Sequence, residues 1–199
     1  MKLPKFTLLI IAGALSIISI YVFSGSSQQG IHREKIAAYW KAYNLFLVNS
    51  SSSPVENKNS FSPINYFEPN INFLITADVV PLSTSESLEL FTNTGEQKTY
   101  IKYALLKFSI GKQPFQLTLL QNSEDKNDYF LPFSDITSGK TTYPSGRYLA
   151  IDFNSLNKVT LDFNEAKNPY CAYNSSYSCP IPPRENFLNI EVRAGEQYH

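Results

Sequence analysis

The chain has 199 residues, 43% of them hydrophobic and 14% aromatic, which suffices to bury one core and not two. Seventeen basic and seventeen acidic side chains cancel, so no long-range field favours a polyanion, and nucleic-acid binding is excluded as an expectation. The only histidines are His32 and His199 and the only cysteines Cys171 and Cys179, so a Cys/His zinc site lacks ligands and a histidine-based triad lacks its base. No metal site is expected, and chemistry would have to run on carboxylates, hydroxyls, Lys, Arg or Cys.

Lys2 and Lys5 precede an uncharged apolar run, Phe6 to Phe23. At about 1.5 Å per residue this run spans roughly 27 Å as a helix, close to the hydrocarbon thickness of a bilayer. Positive charge before it and none just after predicts the N-terminus inside and the rest translocated. Residues 6–23 are therefore expected to be a retained membrane anchor with the lipid bilayer as partner, placing the domain on the extracytoplasmic side, in the periplasm or at the cell surface. The alternative is a cleaved signal peptide, with Val22 and Ser24 as small residues of the cleavage site, and a secreted product. Residues 1–30 then form the anchor or signal plus a linker (Ser24 to Gly30, small and polar), and residues 31–199 a single exported domain.

After the linker, Ile36, Trp40, Tyr43 and Leu47 recur at spacings of four, three and four, one stripe of an amphipathic helix. Residues 49–70, dense in Ser, Pro and Asn, read as extended loop. From residue 72 the period becomes two. "NFLITADVV" and "ESLELFTN" predict strands, and "NTGE" (93–96) turns the chain into "KTYIKYALLKFSI". "GKQP" turns it again into "FQLTLLQN", "NSEDKND" is a charged connection, and "RYLAIDF", "KVTLDF" and "FLNIEVRA" continue the alternation. The predicted fold is mainly β: a compact antiparallel barrel or sandwich of about seven or eight strands with one N-terminal amphipathic helix, after a single transmembrane segment. Without βαβ alternation or GxGxxG, a dinucleotide-binding domain is not expected.

Cys171 and Cys179 bracket a short loop, and Pro169, Pro180, Pro182 and Pro183 bar this stretch from a sheet interior. In an oxidising compartment the two cysteines are expected to pair as a disulfide, a staple worth about 2.5 kcal/mol for so small a loop. A redox-active pair is the alternative, without the CxxC spacing that lowers a thiol pKa at a helix start.

The segment "LDFNEAKNPYCAYNSSYSCPIPPRENFL…AGEQY" resembles the C-terminal signature of a bacterial family known only as domain of unknown function 1684. "PFSDITSGKTTYPSGRYL" is similar to the same family's second block, and "SPINYFEPNINFLI" to its aromatic-proline entry, so the resemblance covers about residues 32–199. Lys167 stands where the family pattern commonly has an aromatic residue, Tyr170 where proline is common, and Ala150 where an acidic residue is frequent. The family name implies no activity.

Within the second block, Thr137, Ser138, Gly139, Lys140, Thr142, Tyr143 and Arg147 cluster around two turns whose N–H groups can cradle an anion, neutralised by Lys140 or Arg147. Asp135 and Glu185 are the candidate acid–base groups, with Arg147 as charge stabiliser, and Asn164 and Asn168 complete a rim formed by residues 135–147 and 162–186. The bland alternative is that the turns satisfy their own backbone and Arg147 pairs with Asp135 or Glu185. The expected function is binding of a small polar or anionic ligand at that rim by a membrane-tethered domain. The competing readings are a structural or interaction module of the envelope, and a hydrolytic or flavin-binding enzyme. No cofactor is predicted, and flavin is the alternative that barrel architecture suggests.

Overall fold

The computed structural model describes residues 5–151 and 157–198, with side chains from Ser27 onward except those of Ser60 and Ser85. Helix α1 (Lys5–Asn49) is continuous, so the expected linker at Ser24–Gly30 is instead helical. Tertiary contact explains this. The Gln29 side chain donates to the Pro69 carbonyl (3.1 Å) and accepts from the Ile71 N–H (3.3 Å), offsetting the roughly 1 kcal/mol that a helical glycine such as Gly30 costs. The expected membrane span, residues 6–23, lies outside the residues whose side chains are described. Among the described residues no helix is long and apolar enough to cross a membrane.

The helical stripe is as its spacing predicts: Ile36, Trp40, Tyr43 and Leu47 are buried, and His32, one turn earlier, extends it. Fully burying Ile36 or Leu47 contributes about 1.5–3 kcal/mol each. Trp40 stacks on Tyr66, with ring centroids 3.9 Å apart. The helix thus packs mainly on loop residues, including Phe61, Ile64, Tyr66 and Tyr173, and forms a cluster separate from the sheet core.

The remainder is mainly β, an antiparallel sheet curled part of the way to a barrel. Its strands are β1 (Leu74–Phe91), β2 (Gln97–Ile110), β3 (Gln113–Asn122), β4 (Tyr129–Asp135), β5 (Arg147–Leu149), β6 (Lys158–Asp162) and β7 (Phe187–Leu188). The order is β5-β4-β3-β2-β1-β6, with β7 added parallel to β4. The two strands expected at residues 72–93 are one long strand, interrupted only by a register irregularity between Pro81 and Glu86. Leu106, Phe108, Leu117, Leu119, Leu131, Phe133, Leu161 and Phe163 form the centre of the core.

β4 is a strand that the sequence pattern does not announce, because Pro132 sits at its middle. Its ladder with β3 covers only Leu120↔Phe130 and Gln121↔Tyr129. Beyond that the two strands part, and the fully buried Asn186 fills the gap. Its Oδ1 accepts from the Thr118 N–H (2.7 Å), and its Nδ2 donates to the carbonyls of Thr118 (2.9 Å) and Pro132 (2.7 Å). One amide side chain stands in for a missing strand residue.

The last expected strand, "FLNIEVRA", is also corrected. Only Phe187 and Leu188 pair in a ladder. The in–out alternation is nonetheless present, with Leu188, Val192 and Ala194 buried. The Val192 and Ala194 carbonyls bond to a buried guanidinium instead of to a neighbouring strand, and that of Ile190 accepts from the Ile136 N–H. "RYLAIDF" forms a strand only over β5, and residues 152–156 lie outside the described residues.

Asn186→Ala strands the Thr118 N–H and two carbonyls in the core. It is expected to cost roughly 2–4 kcal/mol, read from denaturant unfolding, with Asn186→Asp costing no less because a carboxylate cannot donate.

Candidate functional site

The block around residues 135–147 builds a closed polar knot. β4 ends on Asp135, the chain turns twice, and β5 begins on Arg147. Gly146, at φ +85°, makes the second turn possible; a Cβ there would lie 2.5 Å from the Phe133 carbonyl oxygen and 2.7 Å from Pro182. Asp135 and Arg147 are both buried and bonded to each other, Nη2 to Oδ2, at 2.8 Å.

Through Nη1 and Nη2 Arg147 also bonds the C-terminal segment, while its Nε is buried without a partner. Nη2 also donates to the Val192 carbonyl (2.9 Å), while Nη1 donates to the Ala194 carbonyl and, at 3.5 Å, to that of Glu196. The guanidinium lies 5.2 Å from the centre of the Phe133 ring. Burial pulls its pKa below the usual value, and Asp135 pushes it back up. Asp135 Oδ1 accepts from the Thr137 N–H and hydroxyl and from the Val192 N–H. Thr137 in turn bonds Thr142, hydroxyl to hydroxyl, at 2.9 Å.

These bonds decide what the expected cradle can do. The N–H groups of Lys140, Thr141 and Thr142 all donate to the Thr137 carbonyl, and that of Gly139 to the Thr142 carbonyl. Ser138 receives the Asp135 N–H on its hydroxyl. The turn is saturated by its own atoms, and Lys140 is exposed outside it. The arrangement that forms is therefore the bland one, with Arg147 paired to Asp135.

The other expected site residues fall into separate nests. Asn164 joins Asp162 and the Asn70 main chain, beside a buried His32 Nε2–Asp162 Oδ2 pair at 2.8 Å that ties α1 to β6. Glu185 is half-exposed and pairs with Lys102 (3.1 Å); among the described residues no hydrogen bond or ion pair joins it to Asp135 or Arg147. The single rim expected from the sequence is not assembled, because Arg147 points to the C-terminal segment while Glu185 sits over β2. Cys171 and Cys179 are buried thiols and not the expected disulfide.

Asn168 leads to a residue that the sequence reading passed over. Its N–H and Nδ2 donate to the buried Glu196 carboxylate at 2.9 and 2.8 Å, and the Tyr173 hydroxyl donates to the same group at 2.6 Å. Burial raises Glu196 to about 7, against the pull of those donors and of the Arg147 charge. Its only sequence signal is its place in the terminal "AGE".

Beside this nest opens a cleft of about 380 Å³, with Tyr43, Tyr129, Phe130, Tyr148, Lys167 and Asn168 among its walls. Lys167 is held by an antiparallel bridge to Tyr148, and its ammonium lies 4.6 Å from the Tyr43 ring centre and 5.7 Å from that of Tyr39. Among the described residues no carboxylate comes within ion-pair distance of it; burial lowers its pKa, with Glu165 and Glu196 opposing from farther off. Asn168 Oδ1 is buried without a hydrogen-bond partner. A cation and aromatic faces thus meet at one concave surface.

Residues 59–197 match the family model described as "Protein of unknown function (DUF1684)". The chain belongs to this family. It is similar to the uncharacterized protein from gene locus rrnAC0354 of Haloarcula marismortui, known from a solution NMR structure. The two share 30% identity with a TM-score of 0.61, over 88% of this chain and 95% of that one. No curated protein matches. The DUF1684 match begins after α1, so Tyr43 comes to the cleft from outside the matched region, whereas Lys167, Asn168 and Glu196 lie within that region.

Two outcomes follow for stability. Arg147→Leu leaves Asp135 buried and unpaired and is expected to cost about 3–5 kcal/mol in denaturant unfolding, with the Arg147→Leu/Asp135→Leu double variant recovering part of that loss. For Glu196, the folded-state value near 7 lies above the ordinary 4.5, so the stability it contributes is complete below pH 4.5 and lost as pH rises through 7. The loss is about 3 kcal/mol, and unfolding curves of Glu196→Gln across that window should lack it.

Proposed function

We propose that this DUF1684 domain is tethered to the outer face of a membrane by residues 6–23 and binds a small planar anion, an aromatic carboxylate or sulfonate, in the cleft around Lys167. The observation that carries the reading is the Lys167 ammonium: half-buried among tyrosine rings and without a carboxylate partner among the described residues. An anionic group on the ligand would supply the missing countercharge, and its ring would stack on the aromatic walls. The cleft's volume falls within the range of small-molecule sites, roughly 300–1,000 Å³. Compared with the rim expected from the sequence, this site keeps Asn168 and replaces Arg147 by Lys167 as the cation.

For the tether, the support is the apolar run itself and its flanking lysines. Helix α1 carries that run into the domain without a break, so the cleft residue Tyr43 lies on the same helix as the anchor.

Calorimetric titration of 1-naphthalenesulfonate into the full-length chain in lipid nanodiscs, with empty nanodiscs as blank, tests the reading. Lys167→Met should weaken binding roughly tenfold or more while Lys140→Met leaves it unchanged. Affinity should also fall as pH rises through the lowered Lys167 pKa, because only the ammonium form attracts the anion. Equal heats for the parent and Lys167→Met would remove this site.

A further inference from the structure

The ligand reading leaves two thiols unused beside the cleft. Cys171 lies in the turn Tyr170–Ala172, and Cys179 ends the following loop. They are 9% and 7% exposed. The Cys171 N–H donates to Cys179 Sγ at 3.1 Å, and the Tyr143 hydroxyl lies 3.8 Å from Cys171 Sγ. Both neighbours are fixed in place. Tyr143 packs edge-on against Tyr198, with centroids 4.9 Å apart. The backbone of Cys179 is clamped to Asn93, donating to its Oδ1 (2.6 Å) and accepting from its N–H (3.1 Å). Cys179 also lines the cleft.

We propose that Cys171 and Cys179 form a hydroperoxide-reactive dithiol, with Cys171 as the attacking sulphur and Cys179 as the sulphur that closes the disulfide. The assignment of roles follows from the donors. As a thiolate, Cys171 has the Tyr143 hydroxyl 3.8 Å away and the Cys179 thiol beside it as proton donors, and its pKa falls to about 7. The same proton sharing with Cys171 holds Cys179 well above the usual thiol range, so it stays protonated until the second step. With exposures below a tenth, a small oxidant such as hydrogen peroxide fits the access better than a bulky disulfide does.

The chemistry balances in two steps. The Cys171 thiolate attacks one peroxide oxygen and the O–O bond breaks; the departing hydroxide takes a proton from solvent and leaves as water, and Cys171 becomes a sulfenic acid. Cys179 sulphur then attacks Cys171 sulphur, the S–O bond breaks, and hydroxide leaves as water with the Cys179 proton. Two thiols are oxidised, one peroxide is reduced to two waters, and a disulfide remains. The Cys171 N–H already holds Cys179 Sγ at 3.1 Å, so reaching the disulfide length of about 2.05 Å requires only local movement. A dithiol such as dithiothreitol reverses the change by exchange.

The test uses the full-length chain, reduced, desalted and exposed to hydrogen peroxide at pH 7. The expected result is loss of both alkylatable thiols and of two hydrogen masses, faster than free cysteine under the same conditions and reversed by dithiothreitol. Cys179→Ser should stop at a sulfenic acid on Cys171, captured by dimedone. Tyr143→Phe should slow the first step roughly tenfold and move its pH profile upward without changing the melting temperature. The proposal is overturned by a rate no greater than that of free cysteine, or by a dimedone adduct found on Cys179 in Cys171→Ser but absent from Cys171 in Cys179→Ser. It is equally overturned by a disulfide in the purified chain that resists dithiothreitol until the protein unfolds, the behaviour of a structural staple.

Discussion

A guanidinium removed from water and held by a carboxylate and three carbonyls fixes the C-terminal segment of this protein. Removing Arg147 and Asp135 from solvent is costly, and the pairing is tolerable only because nearly every donor and acceptor is used. In return, the Val192 and Ala194 carbonyls are satisfied without a strand ladder, and Glu196, bridged to Tyr66 and bonded through its N–H to the Ala166 carbonyl (2.9 Å), also meets Arg147 through its own carbonyl. The Glu196 carboxylate then clamps both the main chain and the amide of Asn168, and through Tyr173 it reaches the layer under α1. The wall of the aromatic cleft is the last link in that sequence. Polar residues that look like a site from their clustering are thus the support on which a neighbouring site stands.

Much of the fold is legible in the sequence because one-dimensional period maps directly onto burial. The helical stripe Ile36–Leu47 and the alternations in β2, β3 and β6 follow from local pattern alone. What local pattern does not carry is who accepts whose hydrogen bonds across long separations. Pro132 hides β4 because proline argues against a central strand, and only the distant Asn186 shows how the gap is bridged. The alternation of residues 187–194 is real, but a guanidinium more than forty positions earlier takes its carbonyls, so it is not a strand. Ser24–Gly30 reads as linker by composition, and the Gln29 contacts make it helix.

For the site, sequence reading finds the polar residues and misassigns their direction. Asp135, Thr137, Thr142 and Arg147 do converge, yet inward. Lys167, visible only as a departure from the pattern that the family resemblance supplies, is the residue that puts a cation among the cleft's tyrosines. Cys179 belongs at once to the cleft wall and to the thiol pair, so the ligand site and the oxidation chemistry proposed here share a boundary. Such an arrangement would make occupancy of the cleft sensitive to the thiols' state.

The central claim is a division of labour: the knot around Arg147 supports the structure and the cleft around Lys167 takes the ligand. Backbone chemical shifts of the isotope-labelled full-length chain, followed while 1-naphthalenesulfonate is added, test this division directly. The account predicts shifts concentrated at Tyr148, Lys167, Asn168 and Tyr177, with residues 137–142 still. Shifts centred on the Thr137–Thr142 turn, with Lys167 unmoved, would contradict it.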